Sequence, residues 1–145
     1  RICSAKLGPV LDSIQLLNDA GVWIEVTTLV IPGENDTPEE LTAIAKFIAT
    51  LNKDIPWHIS NFHPDYKFKD YASTPERTLK LAYDAGLGQG LRYVYVGTFG
   101  AWGQDTLCVN CQKPLIKRDG FNVIESHLAQ NKCASCQTAL AGVFY

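Results

Sequence analysis

Residues 22–51 read VWIEVTTLVIPGENDTPEELTAIAKFIATL and contain the two elements that decide the fold class. The first ten residues are mostly β-branched or apolar, which is typical of a parallel strand covered on both faces. Pro32 and Gly33 end that strand. Thr37, Pro38 and Glu40 then form a capping-box start for a helix whose apolar residues recur at helical spacing. The stretch therefore predicts one strand followed by one helix.

The same alternation continues on both sides of this unit. A helix is predicted over residues 9–20, before the strand. A strand over residues 57–62, a helix begun by Thr74 and Pro75, and a strand over residues 91–96 come after it. Helices and strands that alternate with short turns predict parallel strands and an α/β fold. Three strands make an open slab, which belongs either to a (β/α) barrel or to a doubly wound sheet.

A Gly-rich link over residues 97–103 leads into a tail with two Cys-x-x-Cys pairs, Cys108 with Cys111 and Cys133 with Cys136. Four thiolates so spaced predict tetrahedral binding of one metal ion, zinc or the iron of a rubredoxin-like site. Because four cysteines leave no open coordination position, the predicted site is structural. Disulfides are a weaker alternative, because a Cys-x-x-Cys bridge closes a very small loop. Redox-active pairs are a second weaker alternative, because such pairs are expected at strand-to-helix junctions.

Composition excludes several classes of protein. The net charge of −2 gives no basic footprint for a nucleic-acid partner. No apolar run is long enough to span a membrane, and no secretory signal opens the chain. The thiols fit a reducing cytoplasm, and the fifth cysteine, Cys3, is predicted to be a small apolar residue. The chain begins at Arg1 and contains no Met, so we expect a fragment or an excised domain of a longer protein.

Ligands of parallel α/β sheets gather in the loops at the carboxyl ends of the strands. Three loops qualify here, over residues 32–36, 63–67 and 97–100. The second loop has the most chemistry, because His63 supplies a switchable base and Asp65 a carboxylate beside a phenol and an ammonium group. A solvated loop without function is the alternative interpretation.

Glu25 and Thr27 share one face of the first predicted strand and point toward the same candidate site. A charged residue in a buried strand needs a partner or a ligand, which makes Glu25 a candidate. Other aromatic and imidazole side chains are predicted to be structural: Trp23, Trp57, His58 and His127.

The segments VWIEVTTLVIPGEND, WHISNFHPDYK and LRYVYVG, followed by the two Cys-x-x-Cys pairs, resemble the carboxyl-terminal part of the AmmeMemoRadiSam system radical SAM protein. That family is related to pyruvate formate-lyase activating enzymes, and the resemblance covers essentially the whole chain. It implies that residues 1–100 are the distal part, three βα units, of a partial (β/α) barrel. Residues 101–145 are then a small four-cysteine tail that is similar to a zinc ribbon.

The resemblance also implies S-adenosylmethionine bound across the carboxyl ends of the strands, beside a [4Fe-4S] cluster held by a Cys-x-x-x-Cys-x-x-Cys loop. This sequence contains no such loop, so the chain is expected to be inactive alone and no catalytic residue is assigned. His63 matches a cofactor-contacting His of the activating enzymes, whereas Thr27 stands where those enzymes carry an Arg. Glu25, Asn61 and Asp65 are expected to line the same pocket.

Two functions stay open at this point. In the first, the chain is the distal wall of a radical SAM site, with S-adenosylmethionine and either a protein substrate or the other AmmeMemoRadiSam components as partners. In the second, it is a metal-ribbon module that binds a partner protein without catalysis. A Cys-x-x-x-Cys-x-x-Cys motif upstream of Arg1 in the parent reading frame would favour the first.

Overall fold

The computed structural model describes Ile2, residues 4–97 and residues 102–144. The predictions for Cys3 and for the loop after Gly97 lie outside these residues. The elements follow in the order α1 (Leu7–Asp19), β1 (Val26–Val30), α2 (Pro38–Leu51), β2 (Trp57–Asn61), a 3-10 turn (Tyr66–Phe68), α3 (Glu76–Gly88), β3 (Val94–Val96), β4 (Thr106–Leu107), β5 (Pro114–Asp119), β6 (Asn122–Ser126), β7 (Leu128–Ala129) and β8 (Lys132–Cys133).

The first three strands form a parallel sheet in the order β1-β2-β3, as the alternation of elements predicts. Thr27, His58 and Tyr95 stand side by side in one row of this sheet. β1 begins at Val26 rather than at residue 22, because its neighbour β2 begins only at Trp57 and leaves the earlier residues without a pairing partner. The α/β class is therefore confirmed, with shorter strands than expected.

Helices α2 and α3 cover one face of the sheet and share one apolar core with it. The core contains Leu41, Ala45, Ile48, Leu79 and Ala82 of the helices and Val30, Trp57, Ile59, Val94 and Val96 of the strands. The predicted capping box of α2 is present, with Thr37 Oγ1 accepting from Glu40 N at 3.3 Å. At α3 the N-cap is Pro75 rather than Thr74.

The other face of the sheet, called here the open face, carries Glu25, Thr27, His58 and Tyr95. The prediction that β1 is covered on both faces is wrong for the described residues, because Thr27 is exposed on this side. α1 does not cover the open face, since none of its residues is buried.

The tail forms an antiparallel sheet, β4-β5-β6, and a short hairpin, β7-β8, around a second core of Cys108, Leu115 and Cys133. The predicted boundary after residue 100 falls outside the described residues. Trp102 packs against the first core and donates from Nε1 to Glu76 Oε1 at 2.7 Å, so the start of the tail is anchored on the sheet domain.

Within the described part of the chain, no helix combines the length and the apolar character needed to cross a bilayer.

Candidate functional site

The two Cys-x-x-Cys pairs lie in turns with matching backbone hydrogen bonds. Gln112 N donates to Cys108 O and Gln137 N donates to Cys133 O, both at 2.9 Å. Both glutamines adopt positive φ, at 58° and 62°, which lets each turn fold back toward its first cysteine. The same local sequence pattern therefore produces two copies of one turn, and each copy presents two sulfur atoms.

The four Sγ atoms of Cys108, Cys111, Cys133 and Cys136 lie within 4.8 Å of one another. The distance is 3.5 Å between Cys108 and Cys136 and 3.7 Å between Cys111 and Cys133. Tetrahedral zinc with Zn–S bonds of about 2.3 Å separates its sulfur ligands by about 3.8 Å. These separations are too long for disulfide bonds of about 2.05 Å. The four cysteines are thus positioned to bind one metal ion, as predicted from their spacing.

Hydrogen bonds around the quartet favour the thiolate form that binds metal. The Thr138 hydroxyl, 3.2 Å from Cys136 Sγ, and the Thr138 backbone N–H lower the pKa of Cys136 to about 5. The backbone N–H of Cys111 is the main cause that lowers the pKa of Cys108.

Cys111 behaves in the opposite way. The Lys113 backbone N–H lowers its pKa, but desolvation and the three neighbouring thiols outweigh this and raise the pKa to about 11. Four adjacent sulfurs cannot all carry a negative charge without a cation between them. A cation bound among the four sulfurs would therefore favour their thiolate forms.

Apolar side chains pack against one side of the cysteine quartet. Cys108 and Cys133 are buried, and Leu115, Leu128 and Leu140 pack against them. On the polar side, Lys113 Nζ donates to Ser135 Oγ at 3.3 Å and joins one turn to the other. A centre with four protein ligands and a packed surround is suited to a structural role.

The loops at the carboxyl edge of the parallel sheet are folded against each other. Tyr71 Oη donates to Glu34 Oε1 at 2.7 Å, which joins the loop after β2 to the loop after β1. Asp65 Oδ1 accepts from Tyr66 N at 2.7 Å and begins the 3-10 turn. His63 lies at this edge, exposed, and forms no hydrogen bond with the part of the chain that the structure describes. The edge thus carries both His63 and Asp65.

Glu25 does not lie beside His63 and Asp65, with which it was expected to line a pocket. It precedes β1 and lies at the amino end of the sheet, opposite to the edge that carries His63. Its Oε2 is 2.7 Å from His58 Nε2, and its Oε1 accepts from Trp23 Nε1 at 3.2 Å. The charge that suggested a ligand has found protein partners instead. Sequence reasoning could not identify this pair, because 33 positions separate Glu25 from His58.

The structure also places Thr27 and Asn61 apart from each other. Thr27 is exposed on the open face, where its nearest neighbour in the row is His58. Asn61 lies two positions after Ile59 and four after Trp57 in β2, so it shares with them the face that the helices cover. Thr27 and Asn61 therefore lie on opposite faces of the sheet, and a pocket shared by the two stays a prediction.

A cleft of 640 Å3 between the open face and the tail was missed by the sequence analysis. His58 stacks on Tyr95 with ring centroids 5.2 Å apart, and the Arg118 guanidinium lies 5.6 Å from the Tyr95 ring centroid. Tyr95 Oη is 2.9 Å from Thr106 Oγ1, which ties the sheet to the tail. Burial is the main cause that raises the pKa of Tyr95 above its ordinary value. His58, predicted to be structural, is a wall of this cleft.

An uncharacterized protein of Methanocaldococcus jannaschii, MJ0808, is 39% identical to this chain over 140 residues. The match covers 94% of this chain but 42% of the archaeal protein, so the chain spans less than half the length of that relative. No family model matches the chain. No solved structure matches it either. The similarity extends through both the parallel sheet and the cysteine tail and brings no named activity with it.

Proposed function

We propose that Cys108, Cys111, Cys133 and Cys136 bind one structural zinc ion that holds the tail in its fold. The close sulfur quartet, formed by two matching turns, carries this proposal. Zinc suits the site because it favours four tetrahedral thiolate ligands and imposes no redox chemistry. Iron would use the same sulfurs, so the metal itself has to be identified by measurement.

Elemental analysis of the purified chain tests the zinc proposal. We expect one equivalent of zinc per chain, and Cys133→Ser should lose it because a three-sulfur site binds far more weakly. Cys3→Ser is the matched control, since this cysteine belongs to neither Cys-x-x-Cys pair, and it should keep full occupancy. One equivalent of iron in a coloured protein would show that the site binds iron instead of zinc. A chain purified under reducing conditions without either metal would remove the proposal.

We further propose that the sheet domain is the distal wall of a radical SAM active site in a longer protein. The observation that supports it is the exposed His63 at the carboxyl edge of a parallel sheet, where α/β folds place their ligands. The resemblance of the strand and loop segments to those of radical SAM activating enzymes is the second reason for this proposal. The cofactor would supply the radical chemistry, and its [4Fe-4S] cluster requires cysteines other than those of this chain.

Within this proposal the residues of the chain have binding roles. The His63 imidazole would donate a hydrogen bond to a ribose hydroxyl or to the methionyl carboxylate, with Asp65 beside it at the same edge. Thr27 contributes a hydroxyl on the open face. We leave Glu25 and Asn61 out of this set because of where the structure places them. The proposed compartment is the reducing cytoplasm, which keeps the thiols available for metal.

Titration of S-adenosylmethionine onto the full-length, cluster-reconstituted protein tests this second proposal. His63→Ala should weaken binding about tenfold or more, as expected for a hydrogen bond to a charged group. His127→Ala is the control, because His127 lies in the tail, 3.2 Å from Glu125 Oε2, far along the chain from the carboxyl-edge loops. Equal affinity in both variants would assign His63 to the scaffold, and no binding to the unchanged protein would remove the enzyme proposal.

The alternative, a metal-ribbon module that binds a partner protein, is favoured by one observation. The hairpin of β5 and β6 exposes Phe121, Val123 and Ile124 at 99%, 61% and 64%. Protein-binding surfaces often carry such apolar side chains. A genuine translation start near Arg1 in the parent gene would support this alternative, whereas an upstream cluster motif would support the enzyme. A protein substrate or another AmmeMemoRadiSam component is the proposed partner of the enzyme, whereas the module would bind a partner protein that is not a substrate.

A further inference from the structure

The cleft between the open face and the tail has the size and lining of a small-molecule site. Its volume of 640 Å3 lies within the range of about 300–1,000 Å3 that is usual for ligand pockets. Six aromatic or imidazole rings contribute to its walls: Trp23, His58, Tyr93, Tyr95, Phe121 and Phe144. Flat rings in such number favour a ligand that is itself flat and apolar over most of its surface.

The Arg118 side chain supplies the cleft with a cation that has no carboxylate partner, while the Arg118 backbone N–H donates to Asp105 Oδ1 at 2.9 Å. Its Nη1 donates to Gln104 O at 3.0 Å and to Thr106 Oγ1 at 2.8 Å, and its guanidinium lies over the Tyr95 ring. All these partners of the guanidinium are neutral. No ion pair is formed by Arg118 within residues 4–97 and 102–144. The guanidinium is thus held in a fixed orientation without an ion pair, which suits a planar anion.

The acidic residue of the cleft is already engaged. Glu25 lies within 2.7 Å of His58 and accepts a hydrogen bond from Trp23, so both of its oxygens have protein partners. The cleft therefore offers a ligand one guanidinium without a carboxylate partner and one carboxylate whose oxygens already accept hydrogen bonds. A cationic ligand would have to compete with His58 and Trp23 for Glu25, whereas an anionic ligand meets a guanidinium that forms no ion pair.

We propose that this cleft binds a planar aromatic compound that carries one anionic group, with the rings against the aromatic walls and the anion on Arg118. The proposal goes beyond the zinc site and beyond the carboxyl-edge loops, because it uses neither the cysteines nor His63. It requires only that the tail and the open face keep their observed contacts, such as the hydrogen bond between Tyr95 and Thr106.

A charge series of naphthalene probes tests the proposal on the unchanged, metal-loaded chain. The probes are 2-naphthoate, neutral 2-naphthalenemethanol and cationic 2-naphthylmethylammonium, which share one ring system. We expect naphthoate to bind about tenfold or more tightly than the cation. In nuclear magnetic resonance spectra the indole N–H signal of Trp23 should shift as naphthoate is added until the cleft is saturated. The indole N–H signal of Trp57, which is buried in the first core, should not shift. Equal affinity for all three probes would overturn the anion site and leave a general apolar surface.

Arginine variants locate the anion contact. Arg118→Gln should remove the preference for naphthoate over the cation, and Arg118→Lys should keep part of it because the charge remains. Arg77→Gln is the matched control, since it removes the same charge from an exposed position on α3. A preference that persists in Arg118→Gln would overturn the assignment. If that variant does not fold, the probe series on the unchanged chain decides the question alone.

Discussion

Thr74 shows how one buried hydroxyl organises the carboxyl edge of the sheet. Its Oγ1 donates to Val30 O at 2.6 Å and accepts from Phe62 N at 2.7 Å, so it joins the ends of β1 and β2. The sequence predicts Thr74 as a helix cap, because Thr before Pro is a common start signal. In the structure the hydroxyl forms hydrogen bonds with the ends of the two strands instead, because their buried backbone groups would otherwise lack partners.

The first prediction concerns this hydroxyl. Thr74→Val keeps the shape of the side chain but leaves the Val30 carbonyl and the Phe62 N–H without it, which should lower the free energy of unfolding by about 1–3 kcal/mol. Urea unfolding followed by circular dichroism measures the change. Thr50→Val is the control, because Thr50 Oγ1 donates to Lys46 O on an exposed helix surface. Similar losses in the two variants would contradict the role assigned to Thr74.

The second prediction concerns Tyr95 at the contact between the sheet and the tail. Burial raises its pKa in the folded chain above the ordinary value of 10.0, despite the opposing hydrogen bond with Thr106 and the charge of Arg118. A raised folded pKa means that the folded state holds the proton longer than the unfolded state. Its stabilising effect is complete below pH 10 and is lost as the pH rises from there through the folded pKa.

Stability should therefore fall above pH 10 by at most about 1.4 kcal/mol per pH unit for this group. Urea unfolding at pH 9 and at pH 11 measures the fall. In Tyr95→Phe the difference between the two pH values should be smaller, because the titrating hydroxyl is gone. An unchanged difference would show that other groups cause the alkaline loss.

At the residue scale, the sequence predicts what depends on local spacing and misses what depends on contacts between strands. Cys108 and Cys111 reveal their role because both lie in one turn, and the second pair repeats the pattern. The sequence does not reveal that Glu25 and His58 are partners, because 33 positions separate them. Only the register of the sheet brings Glu25 Oε2 to 2.7 Å from His58 Nε2.

At the element scale, helices with strong local signals are predicted best. α2 begins where Thr37, Pro38 and Glu40 place it, because a capping box is satisfied within four residues. Strand ends are predicted less well. β1 loses residues 22–25 because strand pairing depends on where β2 begins, which the sequence of β1 does not contain.

The third prediction uses two glycines of α3 that differ in their surroundings. A Cβ on Gly86 would lie 2.8 Å from Val94 Cγ2 and 3.0 Å from Trp57 Cε3, whereas a Cβ on Gly88 has no neighbour within 4 Å. Gly86→Ala should therefore destabilise by about 1–3 kcal/mol through overpacking. Gly88→Ala should be neutral or stabilise by up to about 1 kcal/mol through helix propensity.

Thermal and urea unfolding of both variants check this pair. Because the substitution is the same, the difference between the variants isolates the contact of α3 with β2 and β3. Equal stability of the two would mean that α3 moves away from the sheet without cost, contrary to the single core that they share.

At the scale of the whole molecule, two cores of unequal size are joined by a few contacts. The described residues of the first core include twelve buried side chains, and those of the second include three, two of which are cysteines. If the quartet binds zinc as proposed, the ion helps to offset the entropy cost of ordering the tail, to which so small a core contributes little. The sequence predicts this division from the position of the cysteines, but it does not predict the cleft, because no local pattern tells which face of the sheet the tail covers.

The last prediction follows from this inequality. Removal of the metal by a chelator under reducing conditions should unfold the tail and leave the sheet domain folded, because α2, α3 and the strands keep their own core. Hydrogen exchange of backbone amides measures the effect segment by segment. Protection should be lost in β5 to β8 and kept in α2 and in β2.

β3 should show an intermediate effect, because it is the strand that contacts the tail. The hydrogen bond between Tyr95 Oη and Thr106 Oγ1, at 2.9 Å, and the one from Ala141 N to Tyr93 Oη, at 3.2 Å, would be lost with the tail. Val96 N also loses its acceptor, Gly103 O, if the start of the tail detaches. Addition of zinc should restore protection in all segments together. If the amides of α2 and β2 lose protection at the same metal concentration as those of the tail, the chain unfolds as one unit, and the metal then stabilises the parallel sheet as well.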